Sequence, residues 1–173
     1  IISVARFTTQ KDHFCLIRSI NLLKNNYKNI KVLLLGSGNK EKEIQNLINE
    51  LRLSKIIKII KFKKNPYPYI KKSYLFILSS NFEGLPNVLL EAITLKRFVI
   101  SSNCPTGPSE ILDKGKGGLL FKVGDYKALS KNIIYAIHNK KKCNKKLLFA
   151  EKRLERFDFS KNLLKYNNIL NNL

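Results

Sequence analysis

NFEGLPNVLLEAITL, residues 81–95, decides how this 173-residue chain is read. It follows YLFILSS (74–80), an apolar run that reads as a buried strand. Gly84 and Pro86 then break the chain into a turn, and an apolar, helix-forming segment resumes at Val88 with Asn87 as its expected N-cap. The order is strand, tight turn, helix. Two carboxylates bracket the turn, Glu83 before it and Glu91 inside the helix, with seven residues between them. On one unbroken helix they would share nearly the same face, but Gly84 and Pro86 argue against such a helix. Glu83 is therefore expected in a loop at a strand's carboxyl end, where open α/β sheets bind ligands.

Outward from this stretch the same alternation repeats. Strands are expected at 1–5 (IISVA), 30–35 (IKVLLL), 56–62 (IIKIIKF), 98–102 (FVISS) and 117–121 (GGLLF). A helix is expected from Asp12, with Phe14, Ile17, Ile20 and Leu23 at near-helical spacing, and another over 40–51 with Ile44, Leu47, Ile48 and Leu51 on one face. A short helical piece reaches Lys72, and a longer helix opens at Gly124-Asp125 and runs to about 139, with Ala128, Leu129, Ile133, Ile134 and Ile137 inward. The basic run 140–146 reads as a break, followed by a helix to about 157 and a last amphipathic segment over 160–173. The alternation predicts an α/β fold, a Rossmann-like parallel sheet with helices on both faces. Residues 1–173 form one domain, and 143–173 are its C-terminal helical segment. No internal repeat is visible.

The strand-end loops carry the chemistry. Arg6 and Lys11 follow the first strand and stand where they can converge on one anion. The amides of Asn87, Val88 and Leu89, with the helix dipole, favour a phosphate, and Glu91 one turn further can accept both hydroxyls of a ribose. That is a nucleotide-shaped site. In the loop after 98–102, Gly107 is expected as an N-cap, Pro108 as the first helical residue, and Glu110 as a third-position carboxylate favoured by the dipole. Thr106 and Gly107 face the same crevice as Glu83 and are candidates for ligand contact. Gly36-Ser37-Gly38 lacks the third glycine of a dinucleotide fingerprint and reads as a tight strand-to-helix turn. Residues 5–11 contain no glycine, which counts against a dinucleotide-dependent oxidoreductase. His13 reads as a surface or capping residue, and Lys63 and Lys64 as solvated loop charges.

EGLPNVLLEA (83–92) resembles the signature of the large retaining glycosyltransferase family with the two-domain GT-B fold. Residues 5–13 (ARFTTQKDH) and 104–110 (CPTGPSE) agree with it in order and spacing. The resemblance covers the C-terminal, donor-binding half of that family. It implies that Arg6 and Lys11 hold the diphosphate of a nucleoside-diphosphate sugar and neutralise charge on the leaving group. It implies Glu91 on the ribose, with Gly84, Leu85, Pro86, Asn87 and Val88 along the donor. Glu83, the expected catalytic residue, would serve the sugar hydroxyls or the positive charge developing near C1. It further implies a UDP-sugar, a glycan or lipid-linked acceptor in bacterial polysaccharide or lipid-linked glycan synthesis, and a missing N-terminal domain that supplies the acceptor site. No metal and no cofactor are called for, because two cations and a helix terminus offset the phosphate charge. A phosphorylase would need a Lys-bound cofactor whose motif is absent. The alternative within the same fold is a non-catalytic nucleotide-sugar-binding module.

Composition narrows the rest. The net charge is +21, but the basic residues are mostly dispersed Lys, Arg is sparse, and no aromatic platform is interleaved, so nucleic-acid binding is not expected. Scattered Lys near an anionic leaflet contributes about 1 kcal/mol each, which suits peripheral contact with a membrane. Cys15, Cys104 and Cys143 show no metal spacing and are odd in number, which suggests a reduced, cytoplasmic protein. The chain has no Met and begins at Ile1 inside a strand, so it reads as a fragment. No apolar run reaches the length of a membrane span, and no signal-peptide pattern opens the sequence. The expected place is the cytoplasm, peripheral to the inner face of the membrane.

Overall fold

In the computed structural model, which describes residues 1–170, six strands form one parallel sheet. They are β1 (Ile2–Val4), β2 (Val32–Leu35), β3 (Ile57–Ile60), β4 (Leu75–Leu78), β5 (Phe98–Ser102) and β6 (Leu119–Phe121), each two or three residues shorter than expected except β5, which matches. Their order is β3-β2-β1-β4-β5-β6, and every neighbouring pair is parallel. The chain winds outward one way from β1 and the other way from β4. The crevice over the carboxyl ends of those two strands is therefore the point where an open sheet takes its ligand.

Period-two alternation in the strands divides the core into two layers. Leu75, Ile77, Phe98 and Ile100 face one layer, and Phe76, Leu78 and Val99 the other. Helices α1 (His13–Leu23), α2 (Glu41–Glu50) and α6 (Tyr126–His138) cover the first through Leu16, Ile17, Ile20, Ile44, Ile48, Leu129 and Ile133. Helices α3 (Tyr67–Lys72), α4 (Asn87–Thr94), α5 (Pro108–Ile111) and α7 (Lys140–Lys152) cover the second through Ile70, Leu89, Ala92, Ile93, Ile111 and Ala150. Each Leu or Ile among them contributes about 1.5–3 kcal/mol by leaving water.

The basic run is not a break. Lys140–Lys152 is one helix, because its inward positions are filled at helical spacing by Cys143, the stem of Lys146, Leu147 and Ala150. Lys is a good helix former, and Lys146 Nζ also donates to the Gly115 carbonyl at 2.6 Å. The helix expected to reach 157 ends at Lys152 and gives way to a 3-10 turn, Leu154–Phe157. The last segment is α8 (Phe159–Leu170), which buries no residue, and residues 171–173 of the expected segment lie outside the described residues. Among the described residues no helix is long and apolar enough to cross a membrane.

Candidate functional site

The loop leaving β1 is fixed from both sides. On the β2 side, Phe7 N donates to the Ser37 carbonyl and Lys40 N to the Phe7 carbonyl, both at 2.9 Å. A Cβ on Gly36 would come within 2.0 Å of the Ala5 carbonyl oxygen, so the tight turn expected at Gly36-Ser37-Gly38 exists to let two loop backbones touch. On the β4 side, Asn81 N donates to the Gln10 carbonyl at 2.7 Å, and Asn81 Nδ2 to that of Thr9 at 2.8 Å. Gln10 Nε2 donates to the Phe82 carbonyl at 3.0 Å, and Ser79 Oγ donates to the Lys11 and Asp12 carbonyls at 3.1 and 2.9 Å. The two loops that carry the candidate residues are thus stitched into one unit.

Two groupings result. In the first, Lys11 Nζ lies 2.5 Å from Glu83 Oε1, and Ser80 Oγ donates to the same oxygen at 2.6 Å. Glu83 also receives Thr106 on its main-chain carbonyl, through a hydrogen bond from Thr106 Oγ1. Gly107 has φ +84°, and a Cβ there would fall 1.9 Å from the Gly84 carbonyl oxygen and 2.6 Å from Pro86 Cδ. Lys11, Glu83, Gly84, Pro86, Thr106 and Gly107 are therefore packed together, with Gly107 capping α5 ahead of Pro108 as expected.

The second grouping is a cavity of about 300 Å³ at the carboxyl ends of β1, β2 and β3, whose lining includes Arg6 and Glu91. Burial pushes the Glu91 carboxyl above the ordinary carboxylate range. Arg6 is exposed, and its guanidinium makes no ion pair among the described residues. Phe62, Lys63, Lys64, Pro66 and Tyr67 close the cavity from the β3–α3 loop. Lys63 and Lys64, expected as solvated loop charges, line the cavity, as do Phe62 and Tyr67, which the sequence does not mark as ligand-facing. The available signal was two aromatics flanking the stretch between β3 and α3, and in the fold Phe62 and Tyr67 are 68% and 46% exposed. A larger cavity, about 760 Å³, lies beside the amino ends of β1, β2 and β3 and gathers no carboxylate. The smaller one is the candidate site, because it lies over the carboxyl ends of the strands and joins Arg6 to Glu91.

Three local expectations need correction. Asn87 is not the N-cap of α4: Pro86 holds that position with φ −74° and ψ 92°, and Asn87 is the first helical residue with no side-chain capping bond. The fixed proline ring makes the turn one residue earlier than a polar cap would. Leu89 N donates to the Pro86 carbonyl at 2.9 Å, so the amides of Asn87 and Val88 are the ones left open at the helix start. Leu85 and Gly84 are exposed beside them. Asp12 is not the first residue of α1 but its N-cap, with φ 38°, its carboxylate accepting from Cys15 N at 3.1 Å. His13 is not on the surface. It is 1% exposed, its ring edge packs on Phe7 at 5.0 Å between centroids, and neither ring nitrogen has a hydrogen-bond partner among the described residues. Burial, aided by the Lys11 charge, pushes its imidazole down to about 4. Its spacing from Leu16, Ile17 and Ile20 was the sequence signal for an inward face.

All three cysteines are free and buried. Cys104 supports the first grouping by donating to the Ser80 carbonyl at 3.1 Å, and burial raises its thiol.

The chain is 42% identical over 111 residues to an uncharacterized glycosyltransferase of Methanocaldococcus jannaschii, a match that covers 64% of this chain and 27% of the relative. It is 30% identical over 169 residues to the N-acetylgalactosamine-N,N'-diacetylbacillosaminyl-diphospho-undecaprenol 4-alpha-N-acetylgalactosaminyltransferase of Campylobacter jejuni, covering 96% of this chain and 46% of that enzyme. The chain thus spans less than half the length of these two relatives. In structure it superposes on the crystal structure of Anabaena Alr3699/HepE in complex with UDP with a TM-score of 0.89, at 20% identity, over 99% of this chain and 48% of that one. This last likeness establishes the fold, the Rossmann-like C-terminal domain of a GT-B architecture. The description "Glycosyl transferases group 1" matches residues 1–152, and the chain belongs to that family.

Proposed function

We propose that the chain is the donor-binding half of a glycosyltransferase that takes a hexose-type sugar from UDP and passes it, with retention at C1, to a glycan or lipid-linked acceptor. The single observation that supports this most is the pairing of Arg6 and Glu91 around one cavity at the carboxyl ends of β1, β2 and β3. A cation beside a carboxylate suits a ligand with a diphosphate and a neutral diol one ribose apart. Lys11 is the second diphosphate cation, and the open amides of Asn87 and Val88 add dipole stabilisation for the leaving group. Phe62 and Tyr67 offer apolar surface to the base. Glu83, Gly84 and Leu85 meet the sugar, and Glu83 acts either on its hydroxyls or on the charge that develops at C1.

Lys11 Nζ is paired with Glu83 Oε1 in the fold. Donor binding then has Lys11 exchange one oxygen of Glu83 for a phosphate oxygen, which frees the carboxylate for the sugar. The acceptor site and the remaining catalytic groups belong to a further domain, in keeping with relatives that are more than twice as long. The +21 charge supports peripheral contact with an anionic leaflet on the cytoplasmic side, which suits an acceptor carried on lipid.

Isothermal titration with UDP tests the reading. Native chain should bind, and Glu91→Gln should weaken binding roughly 10- to 100-fold, the effect of losing hydrogen bonds to a charged acceptor. Because the Glu91 carboxyl is raised, native affinity should also start to fall on acidification at a higher pH than an ordinary carboxylate would give. The variant should keep only the fall that comes from protonation of the nucleotide's own phosphate. A folded native chain with no affinity for UDP would end the proposal.

A further inference from the structure

Ser80 and its two donors are assigned no contact with the donor above, yet Ser80 is bonded directly to Glu83. Ser80 Oγ donates to Glu83 Oε1 at 2.6 Å, on the oxygen that also takes Lys11 Nζ at 2.5 Å. Ser80 is 0% exposed. Its own carbonyl accepts from two side chains of the next strand and loop, Ser102 Oγ at 2.6 Å and Cys104 Sγ at 3.1 Å. Ser102 and Cys104 are also buried, and their side chains stand 3.4 Å apart.

Seven described serines are buried, and four of them, Ser79, Ser80, Ser101 and Ser102, stand at the ends of β4 and β5 beneath this loop. A buried hydroxyl is tolerated only where it is hydrogen-bonded. An aliphatic residue would fill the space of Ser80 or Ser102 equally well for a core.

We infer that Ser80, held by Ser102 and Cys104, is the positioning residue that fixes which oxygen of Glu83 is committed to the protein, leaving Oε2 to meet the sugar of the donor. The inference rests on the proposed donor site and adds to it a device for orientation. The order of events follows from the bonds. When Lys11 turns to the diphosphate, Ser80 is the group that keeps Oε1 in place, so the carboxylate does not swing away as its cation leaves. A carboxylate with one oxygen anchored presents the other in one direction, which is what discrimination between sugar hydroxyls requires. Lys11 alone could not serve, because its ammonium carries no fixed direction on a flexible stem. Ser102 and Cys104 act one step further out: two donors on the Ser80 carbonyl fix the peptide from which the serine side chain projects.

The test separates nucleotide from sugar. UDP is titrated against UDP-glucose, UDP-galactose and UDP-N-acetylglucosamine, and the sugar increment is the ratio of the best UDP-sugar affinity to that of UDP. Ser80→Ala should leave the affinity for UDP within about twofold and reduce the sugar increment roughly tenfold, the scale of one lost hydrogen bond to a charged group. Ser80→Thr keeps the hydroxyl and should recover most of the increment, and Cys104→Ser, which keeps a donor on the Ser80 carbonyl, should exceed Cys104→Ala in the same ratio. A merely structural serine would lower both affinities together, and that result overturns the inference. A native chain that binds UDP yet gains nothing from any sugar removes the role of Glu83, and the inference with it. Absence of UDP binding altogether would instead mark failure of the donor-site reading on which it rests. Should Ser80→Ala not fold, the Cys104 pair of variants carries the same comparison.

Discussion

Among single residues, His13 makes the most definite prediction. It is neutral in the fold because burial depresses its imidazole to about 4, whereas the unfolded chain holds it near 6.5. The unfolded state therefore binds the extra proton first as pH falls. The contribution of His13 to stability is full above about pH 6.5 and is lost progressively between there and pH 4. Urea denaturation at pH 7 and pH 5 should show a fall of about 2 kcal/mol assignable to this residue, obtained as the difference between native chain and His13→Leu. The Asp12 carboxyl beside it is raised by burial and titrates with the opposite sign, but it does so in both proteins and cancels. Equal pH slopes for the two proteins would mean that the ring is not sealed from water. The inward packing of His13 on Phe7 adds an apolar anchor to the hydrogen bonds that fix the Arg6 to Lys11 loop.

At the level of elements, the site depends on how closely three strand-end loops approach. The tightest approach is Gly107 against Gly84. A side chain at residue 107 would need a positive φ and would have to displace a backbone carbonyl, and neither has a cheap remedy. Gly107→Ala should lower stability by about 3 kcal/mol and Tm by roughly 10 °C. It should also cut affinity for a UDP-sugar more than for UDP, since Gly84 stands next to Glu83. Thermal melts and the paired titrations check both parts, and a variant with native Tm would contradict the packing. The elements differ in how far the sequence disclosed them. β5, buried on both faces, was legible residue for residue as 98–102. α7 was not, because a run of Lys hides the inward positions that Lys146 and Cys143 fill. The N-terminus of α4 was displaced by one residue, because a capping rule based on Asn could not foresee that Pro86 would take the cap.

For the whole molecule, alternation of strands and helices was enough to give the parallel sheet, since buried parallel strands read as short continuous apolar runs. It also put Arg6, Lys11, Glu83, Glu91, Thr106 and Gly107 at one end of that sheet, because each follows a strand or opens the helix after it. What could not be read was how they divide. That Lys11 pairs with Glu83 while Arg6 shares a cavity with Glu91 depends on loop-to-loop bonds through Gln10, Ser79 and Asn81, which carry no periodicity. The same holds for Phe62 and Tyr67, placed on the cavity by a loop with no regular pattern. In the proposed function a nucleoside diphosphate lies over the carboxyl ends of β1, β2 and β3, with its diphosphate reaching the start of α4. A crystal structure of the chain with UDP measures this directly. The account predicts the ribose hydroxyls on Glu91, the diphosphate between Arg6, Lys11 and the amides of Asn87 and Val88, and Lys11 turned away from Glu83. UDP found instead in the larger cavity beside the amino ends of the strands, or bound with the Lys11–Glu83 pair intact and Glu91 untouched, would contradict it.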